Sequence, residues 1–335
     1  MASDRPHTAA MPDPTHQATG FAYAFGAYGI WGVVFPTHLI LMNRLVGGEI
    51  AQSAAWSVEV VAHRVVWCLL LCLALVRWKS QLSSLVTLLR TPRLLRLLGI
   101  SSTLIAANWI CFIYGAGTGR LSHASLGYYI NPLLSVLLGV IFLGEGLRPM
   151  QIVALGLAAA GVIYQTIGVG ELPWIALVVA GSFGTYGLLR KRLGIAPLVG
   201  LSVETGYVAV FAMAYFAWSV LAPADMTLPM RFGADRPLLS LMLLVTGLWT
   251  AMPLLWFVAA ASRLRLATLG LMQYMAPTMQ FVIAFTLNNE PFGPRRLVVF
   301  GLIWLGVGVF AWDSLRASRQ AKRAEAPAAA LPAAE

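Results

Sequence analysis

Charge is what this chain has least of: Asp, Glu, Lys and Arg make up 11% of its 335 residues, where a soluble domain carries about 25%. With hydrophobic residues at 59%, that shortage excludes a water-soluble fold. Cysteine is as scarce. Cys68, Cys72 and Cys111 all fall within apolar runs, so neither a disulfide framework nor a metal-ligand spacing arises, and they read as small buried hydrophobes. There is no G-x-x-x-x-G-K-[ST] loop and no soluble stretch long enough for a nucleotide-binding domain, which excludes an ATP-driven machine. His38, His63 and His123 fall on three separate apolar spans without the H-E-x-x-H spacing of metalloproteases. No metal, cofactor or enzymatic chemistry is expected. A channel would show a carbonyl filter motif or a ring of charges, and neither is visible. Residues 1–20 are polar, without a basic n-region leading into an apolar h-region, so no cleavable signal peptide is expected. That segment and the low-complexity tail over 315–335 are expected to be disordered.

What the chain does have is long apolar runs. A membrane helix needs about 20 mainly apolar residues, and ten such spans are legible: near 21–41, 56–76, 97–115, 122–143, 150–167, 172–189, 198–220, 238–260, 266–287 and 297–313. The net charge of +10 does not indicate a nucleic-acid partner, because the cations sit between the spans rather than on one basic face. Arg5, Arg77, Lys79, Arg90, Arg93, Arg96, Arg148, Arg190, Lys191, Arg192, Arg263, Arg265, Arg316, Arg319, Lys322 and Arg323 fall on one side, 16 of the 23 Lys and Arg residues. The other side holds Arg44, Arg120, Arg231, Arg236, Arg295 and Arg296, with Arg64 inside a span. The positive-inside rule then predicts a multi-pass protein with both termini in the cytoplasm.

The chain also contains one pattern twice. Arg120-Leu121, Tyr129, Pro132, Glu145, Pro149, Gly156 and Gly161 recur 145 positions later as Arg265-Leu266, Tyr274, Pro277, Glu290, Pro294, Gly301 and Gly306. A second match, at an offset of 155, sets Gly26, Gly29 and Gly32 on Gly181, Gly184 and Gly187, with Trp31 and Tyr186 at the same place in each. Two five-helix units result, 21–167 and 168–314. An odd number of spans per copy makes the second unit enter the bilayer from the opposite side, which is the inverted-repeat architecture of secondary transporters.

With ten spans and two copies in view, the chain resembles the EamA family of the drug/metabolite transporter superfamily, and within it the RarD-type, chloramphenicol-sensitivity branch. The residues carrying the resemblance are Tyr28-Gly29-Ile30-Trp31-Gly32, His63-Arg64-Val65-Val66-Trp67, Asn108-Trp109, the run from His123 to Pro132, Leu143-Gly144-Glu145, Glu204-Thr205, and the run from Arg263 to Gly270. The resemblance implies an all-α integral membrane protein with ten helices around a central cavity, located in the inner membrane, that exports or exchanges small molecules. It implies no particular substrate.

Ionisable side chains at the centre of a span cost about 2.5–3.5 kcal/mol each, so those retained need a partner or water. Glu59 and His63 are four apart on the second span and share a helical face, with Arg64 about 100° around. If Glu204 faces Arg64 across the bundle, the pair either gates or couples transport or is a buried structural ion pair, and Arg64 has snorkelling as a further option. His63 is either a proton-sensitive group or a hydrogen-bonded packing residue. Pro132, after Tyr128, Tyr129 and Asn131, removes a helical hydrogen bond. Pro277, after Gln273 and Tyr274, repeats the interruption, and paired breaks in corresponding spans point to a transport site. Asn108, Trp109, Trp31 and Tyr186 are expected to complete a cavity for a small-molecule substrate, the alternative for each ring being plain packing or an interfacial belt. Pro132 and Pro277 are the expected hinges. A homodimer stays open.

Overall fold

Thirteen helices and one π-helical turn carry the described part of the computed structural model, which comprises residues 14–47, 50, 53–117, 121–167, 174–221, 230–288 and 294–328. No strand occurs among them. The first span is a rod in three pieces: α1 (Pro14–Gly29), a π turn (Ile30–Val34) and α2 (Phe35–Val46). Pro36 explains the join. It has no N–H to give the carbonyl of Gly32 and its ring crowds that turn, so the chain widens and Phe35 N–H reaches back to Ile30 O. Such turns are common at functional sites, and this one carries Trp31.

The remaining elements are α3 (Ala54–Trp78), α4 (Leu82–Leu89), α5 (Pro92–Gly117), α6 (Leu121–Leu143), α7 (Pro149–Ile167), α8 (Trp174–Leu193), α9 (Pro197–Leu221), α10 (Pro237–Ala261), α11 (Leu266–Met272), α12 (Met275–Asn288) and α13 (Pro294–Ala328). Each expected span has its helix or helix pair. Among the described residues, seven helices are long and apolar enough to cross a membrane by themselves. Those left are α6, whose described side chains form a shorter apolar stretch over Gly127–Leu143, together with α8 and the broken pair α11–α12. Phe211, Ile110 and Ile141 face outward, as hydrocarbon contact requires.

Three details depart from expectation. Helix α1 begins at Pro14, whose fixed φ suits a first helical turn, and α13 continues to Ala328 through a segment rich in Ala and Arg, strong helix formers. The stretch between the second and third spans folds into α4, anchored by buried Leu85 and Leu88. Helix α6 runs unbroken through Pro132, whereas the ninth span is interrupted at Gln273–Tyr274.

Contacts fix the directions. Gly20 lies against Arg263 and Leu264 while Gly26 lies against Trp256, so α1 and α10 are antiparallel. Arg148 pairs with Asp313 at 2.5 Å, and Gly161 meets Val299 and Ile303, so α7 and α13 are antiparallel too. Lys191 joins Glu145 at 3.1 Å and Leu264 O at 2.6 Å. One face of the bundle therefore gathers the start of α1, the turns before α7, α9 and α11, and the outer part of α13; both described ends lie there. The opposite face joins Trp56 Nε1 to Asn43 Oδ1 at 2.9 Å and His38 to Met242 O at 3.0 Å.

Helix pairing mixes the two halves. The extensive contacts are α7 with α13, α6 with α8, α3 with α10 and α9, α5 with α8 and α9, α6 with α11, α1 with α10, and α12 with the π turn. Numbered as spans these are 5–10, 4–6, 2–8, 2–7, 3–6, 3–7, 4–9, 1–8 and 1–9, and the set is unchanged when span n is exchanged with span n+5. Close approach underlies the 4–9 contact: a Cβ on Gly270 would sit 2.8 Å from Pro132 O and 2.9 Å from Ser135 Cβ, so only glycine fits.

Candidate functional site: a one-sided chamber

A cavity of about 340 Å³ lies where spans from both halves converge. It is lined by Trp31, Phe35, Pro36, Leu39 and Ile40 of the first span, Val61 and Arg64 of α3, and Asn108 and Trp109 of α5. Tyr128 and Asn131 of α6, Phe183 of α8, Thr250 and Leu254 of α10, and Gln273, Ala276, Pro277 and Ile283 of the broken span line it too, with Tyr28 and Ile105. These residues occupy the middle of each helix and the half towards the face opposite the termini. Of the sequence-predicted residues, Trp31, Arg64, Asn108, Trp109, Tyr128, Asn131, Gln273 and Pro277 line it.

Towards the face of the termini a floor of aromatic rings underlies the chamber. Trp31 meets Phe183 at 5.8 Å and Phe257 at 5.9 Å between ring centroids, and Tyr28 lies 6.0 Å from Trp31. Phe257 also meets Phe183 at 5.1 Å and Tyr186 at 6.3 Å. The Tyr28 hydroxyl donates to Leu269 O at 3.1 Å. Each ring pair adds about 0.5–1.5 kcal/mol beyond its burial. Tyr186, expected in the wall, lies within this floor.

Two polar clusters back the floor. Glu204 is 2% exposed and accepts from Ser101 Oγ, lies 3.4 Å from Tyr186 Oη and pairs with Arg190 at 3.6 Å. Arg190 is buried, with its guanidinium laid on Gly200, where a Cβ would collide with it. The second cluster centres on Glu145. Its carboxylate accepts from Leu266 N at 2.7 Å and Ala267 N at 2.9 Å and pairs with Lys191. It thus caps α11 by satisfying its orphan N–H groups.

Several expected partnerships are corrected by these contacts. Arg64 does not face Glu204. Its Nε donates to Thr250 Oγ1 at 3.1 Å, and the guanidinium carbon lies 4.5 Å from the Phe35 ring and 5.2 Å from that of Trp109. Among the described residues no carboxylate pairs with it. Glu59 and His63 share a face yet do not bond: Glu59 accepts from Arg231 N at 2.6 Å and Phe232 N at 3.1 Å. His63 Nδ1 accepts from the Trp67 indole N–H at 3.0 Å, with its ring against Phe216 and Phe232. Both lie outside the chamber, towards the face opposite the termini. Tyr129 and Tyr274 also lie outside it, because the Tyr274 hydroxyl donates to Tyr129 O at 3.0 Å. That bond falls beside the turn where Pro132 supplies no donor.

The amides behave as the polarity of their spans suggests. Asn131 Nδ2 donates to Gln273 Oε1 at 2.9 Å, joining the two copies at their Pro-containing spans, and Asn108 Nδ2 donates to Val179 O at 2.8 Å. Sequence reading missed Phe35, Phe183, Phe257 and Thr250, which look like ordinary span residues. It also missed Arg190, which reads as part of a basic loop. One signal was available: Glu59 and Glu204 stand at the offset of 145 that relates the copies, and they lie towards opposite faces.

An all-α, multi-pass membrane protein with a chamber between two halves is the class this structure defines. The profile of the EamA-like transporter family matches residues 19–166. Protein RarD of Streptomyces exfoliatus is 41% identical over 323 residues, covering 95% of this chain and 96% of that protein. An uncharacterized transporter of Vibrio cholerae is 38% identical over 93% of this chain and 98% of its own length. Protein RarD of Escherichia coli K12 is 37% identical over 93% and 100%. A crystal structure 17% identical in sequence superposes with a TM-score of 0.63 over 88% of this chain and 97% of that one, a likeness of fold. The chain belongs to the EamA-like transporter family, in its RarD-type branch, and is a membrane transporter.

Proposed function

We propose that this protein is a secondary carrier that exports or exchanges small metabolites or drugs across the inner membrane by alternating access, and is not an enzyme. What supports the reading is the chamber's placement: its lining lies in the middle and in the half of the helices away from the termini, with a cluster of rings and a buried ion pair on the side of the termini. The two units, 21–167 and 168–314, stand as inverted repeats. The exchange symmetry of the span contacts and the offset of 145 support that relation. The excess of cations near the face of the termini supports a cytoplasmic location for both ends, so the chamber is open to the outside. A channel would need a continuous path, and the floor argues against one.

Trp31, Asn108, Trp109, Tyr128, Asn131 and Gln273 contact substrate in this reading, with Tyr129, Tyr186 and Tyr274 supporting them from behind. Glu204 gates the inner end with Arg190, Glu59 and His63 belong to the outer end, and Pro132 and Pro277 serve as hinges. Rocking of one unit against the other opens the inner floor and closes the outer mouth.

Flux in reconstituted vesicles tests this. Uptake is expected to saturate and to be accelerated by substrate loaded on the far side. An imposed pH gradient separates proton coupling, in which flux follows the gradient, from uncoupled exit. Non-saturating, current-like flux would contradict a carrier.

A further inference from the structure

We propose that the chamber's substrates are small aromatic monoanions, bound with the carboxylate on the open edge of Arg64 and the ring among Trp31, Phe183 and Trp109. The proposal rests on the carrier reading above and names the cargo of the same site. Among the described lining residues Arg64 is the sole charged side chain. A guanidinium carries five N–H donors. The Nε of Arg64 is used by Thr250. The four N–H groups on its two terminal nitrogens meet no acceptor among the described residues. A cation held in a membrane interior without a counterion is costly, and Arg64 has no acidic partner among the described residues, so a negatively charged solute group beside it is favoured.

Arg190 shows the contrast, because the same group placed in packed protein has Glu204 beside it. Phe35 and Trp109 hold the Arg64 guanidinium and leave its fork to the chamber. That fork matches a carboxylate with two parallel hydrogen bonds. One positive charge suits one negative charge; a phosphate ester bearing two would leave an excess anion in an apolar enclosure. The rest of the wall is largely rings and aliphatic groups, which favour a flat apolar body. At about 30 Å³ per water, the cavity holds roughly eleven waters' worth of solute, the scale of one or two rings.

Three probes with one ring system isolate the charge: indole-3-acetate, indole-3-acetamide and tryptamine, titrated against the purified full-length protein. Indole-3-acetate is expected to bind about tenfold or more tightly than the amide, with tryptamine weakest. Arg64→Gln should erase the difference between acid and amide while amide binding persists, which shows the site still folded; Arg64→Lys should keep part of the preference. Equal or better binding of the amide or amine by the native protein would overturn the proposal, as would an acid preference unchanged in Arg64→Gln. The two readings fail separately. Selective acid binding without vesicle flux would remove the carrier and leave the site, whereas saturable flux of other solutes that indole-3-acetate does not inhibit would remove this substrate class and leave the carrier.

Discussion

Replacing Glu204 with Ala is expected to destabilise the protein by about 3–5 kcal/mol, because Arg190 is then left buried with no counterion. Arg190 is 1% exposed, lies against Gly200 and has one acidic partner among the described residues, at 3.6 Å. The loss is larger than the net worth of the pair, since bringing two charges out of water has already consumed most of their attraction. The double substitution Arg190→Met with Glu204→Leu should therefore recover most of the lost stability, as neither side chain needs a counterion. Melting temperatures of the native, single and double variants in one detergent check this. A single variant as stable as the native protein, or a double variant worse than Glu204→Ala, would show that Arg190 does not depend on Glu204 as its counterion.

The second large effect is expected at Phe257. Its ring touches Tyr28, Trp31, Phe183 and Tyr186 and fills the space next to Gly187. Phe257→Ala removes the shared member of the floor and should cost about 3–5 kcal/mol. It should also make the inner seal porous, so that vesicles bearing the variant lose a small trapped solute without any exchange partner. Leu at this position restores most of the volume and should restore both properties in part. Unchanged melting together with tight vesicles would mean that the rings are not the seal.

Hydrophobic runs of helix-spanning length and the doubled Pro, Gly and Tyr positions made the bundle legible, because lipid imposes composition over whole segments. Local hydrogen bonding was less so. The π turn at Ile30–Val34 follows from Pro36 only once the preceding carbonyls are counted, and the break at Gln273–Tyr274 stands three residues before the proline that signals it. Partners of buried charges were the least legible. Arg64 and Glu204 are the charges that spacing alone invites one to join, yet Glu204 meets Arg190 because α8 and α9 are consecutive and joined by a short turn. Arg190 hides in an Arg-Lys-Arg triplet whose last member is exposed, and only the glycine at position 200 hints that a long side chain lies there. The cavity wall was read from polar and aromatic residues in apolar spans. That rule finds Asn108, Asn131 and Gln273 and overlooks Phe183, because a phenylalanine in a membrane helix carries no information about which way it faces.

The central claim is that the chamber opens to one side at a time, and paired thiol accessibility tests it most directly. In a variant with Cys68, Cys72 and Cys111 replaced, Leu39→Cys lies in the open wall and Leu266→Cys lies buried at the closed end. A membrane-impermeant thiol reagent should modify Leu39→Cys from the face opposite the termini and leave Leu266→Cys untouched from the face of the termini. Adding Glu204→Gln, which weakens the inner clamp, should lower the first rate and raise the second. Simultaneous modification of both sites in the native background, or rates that rise together in Glu204→Gln, would contradict the account.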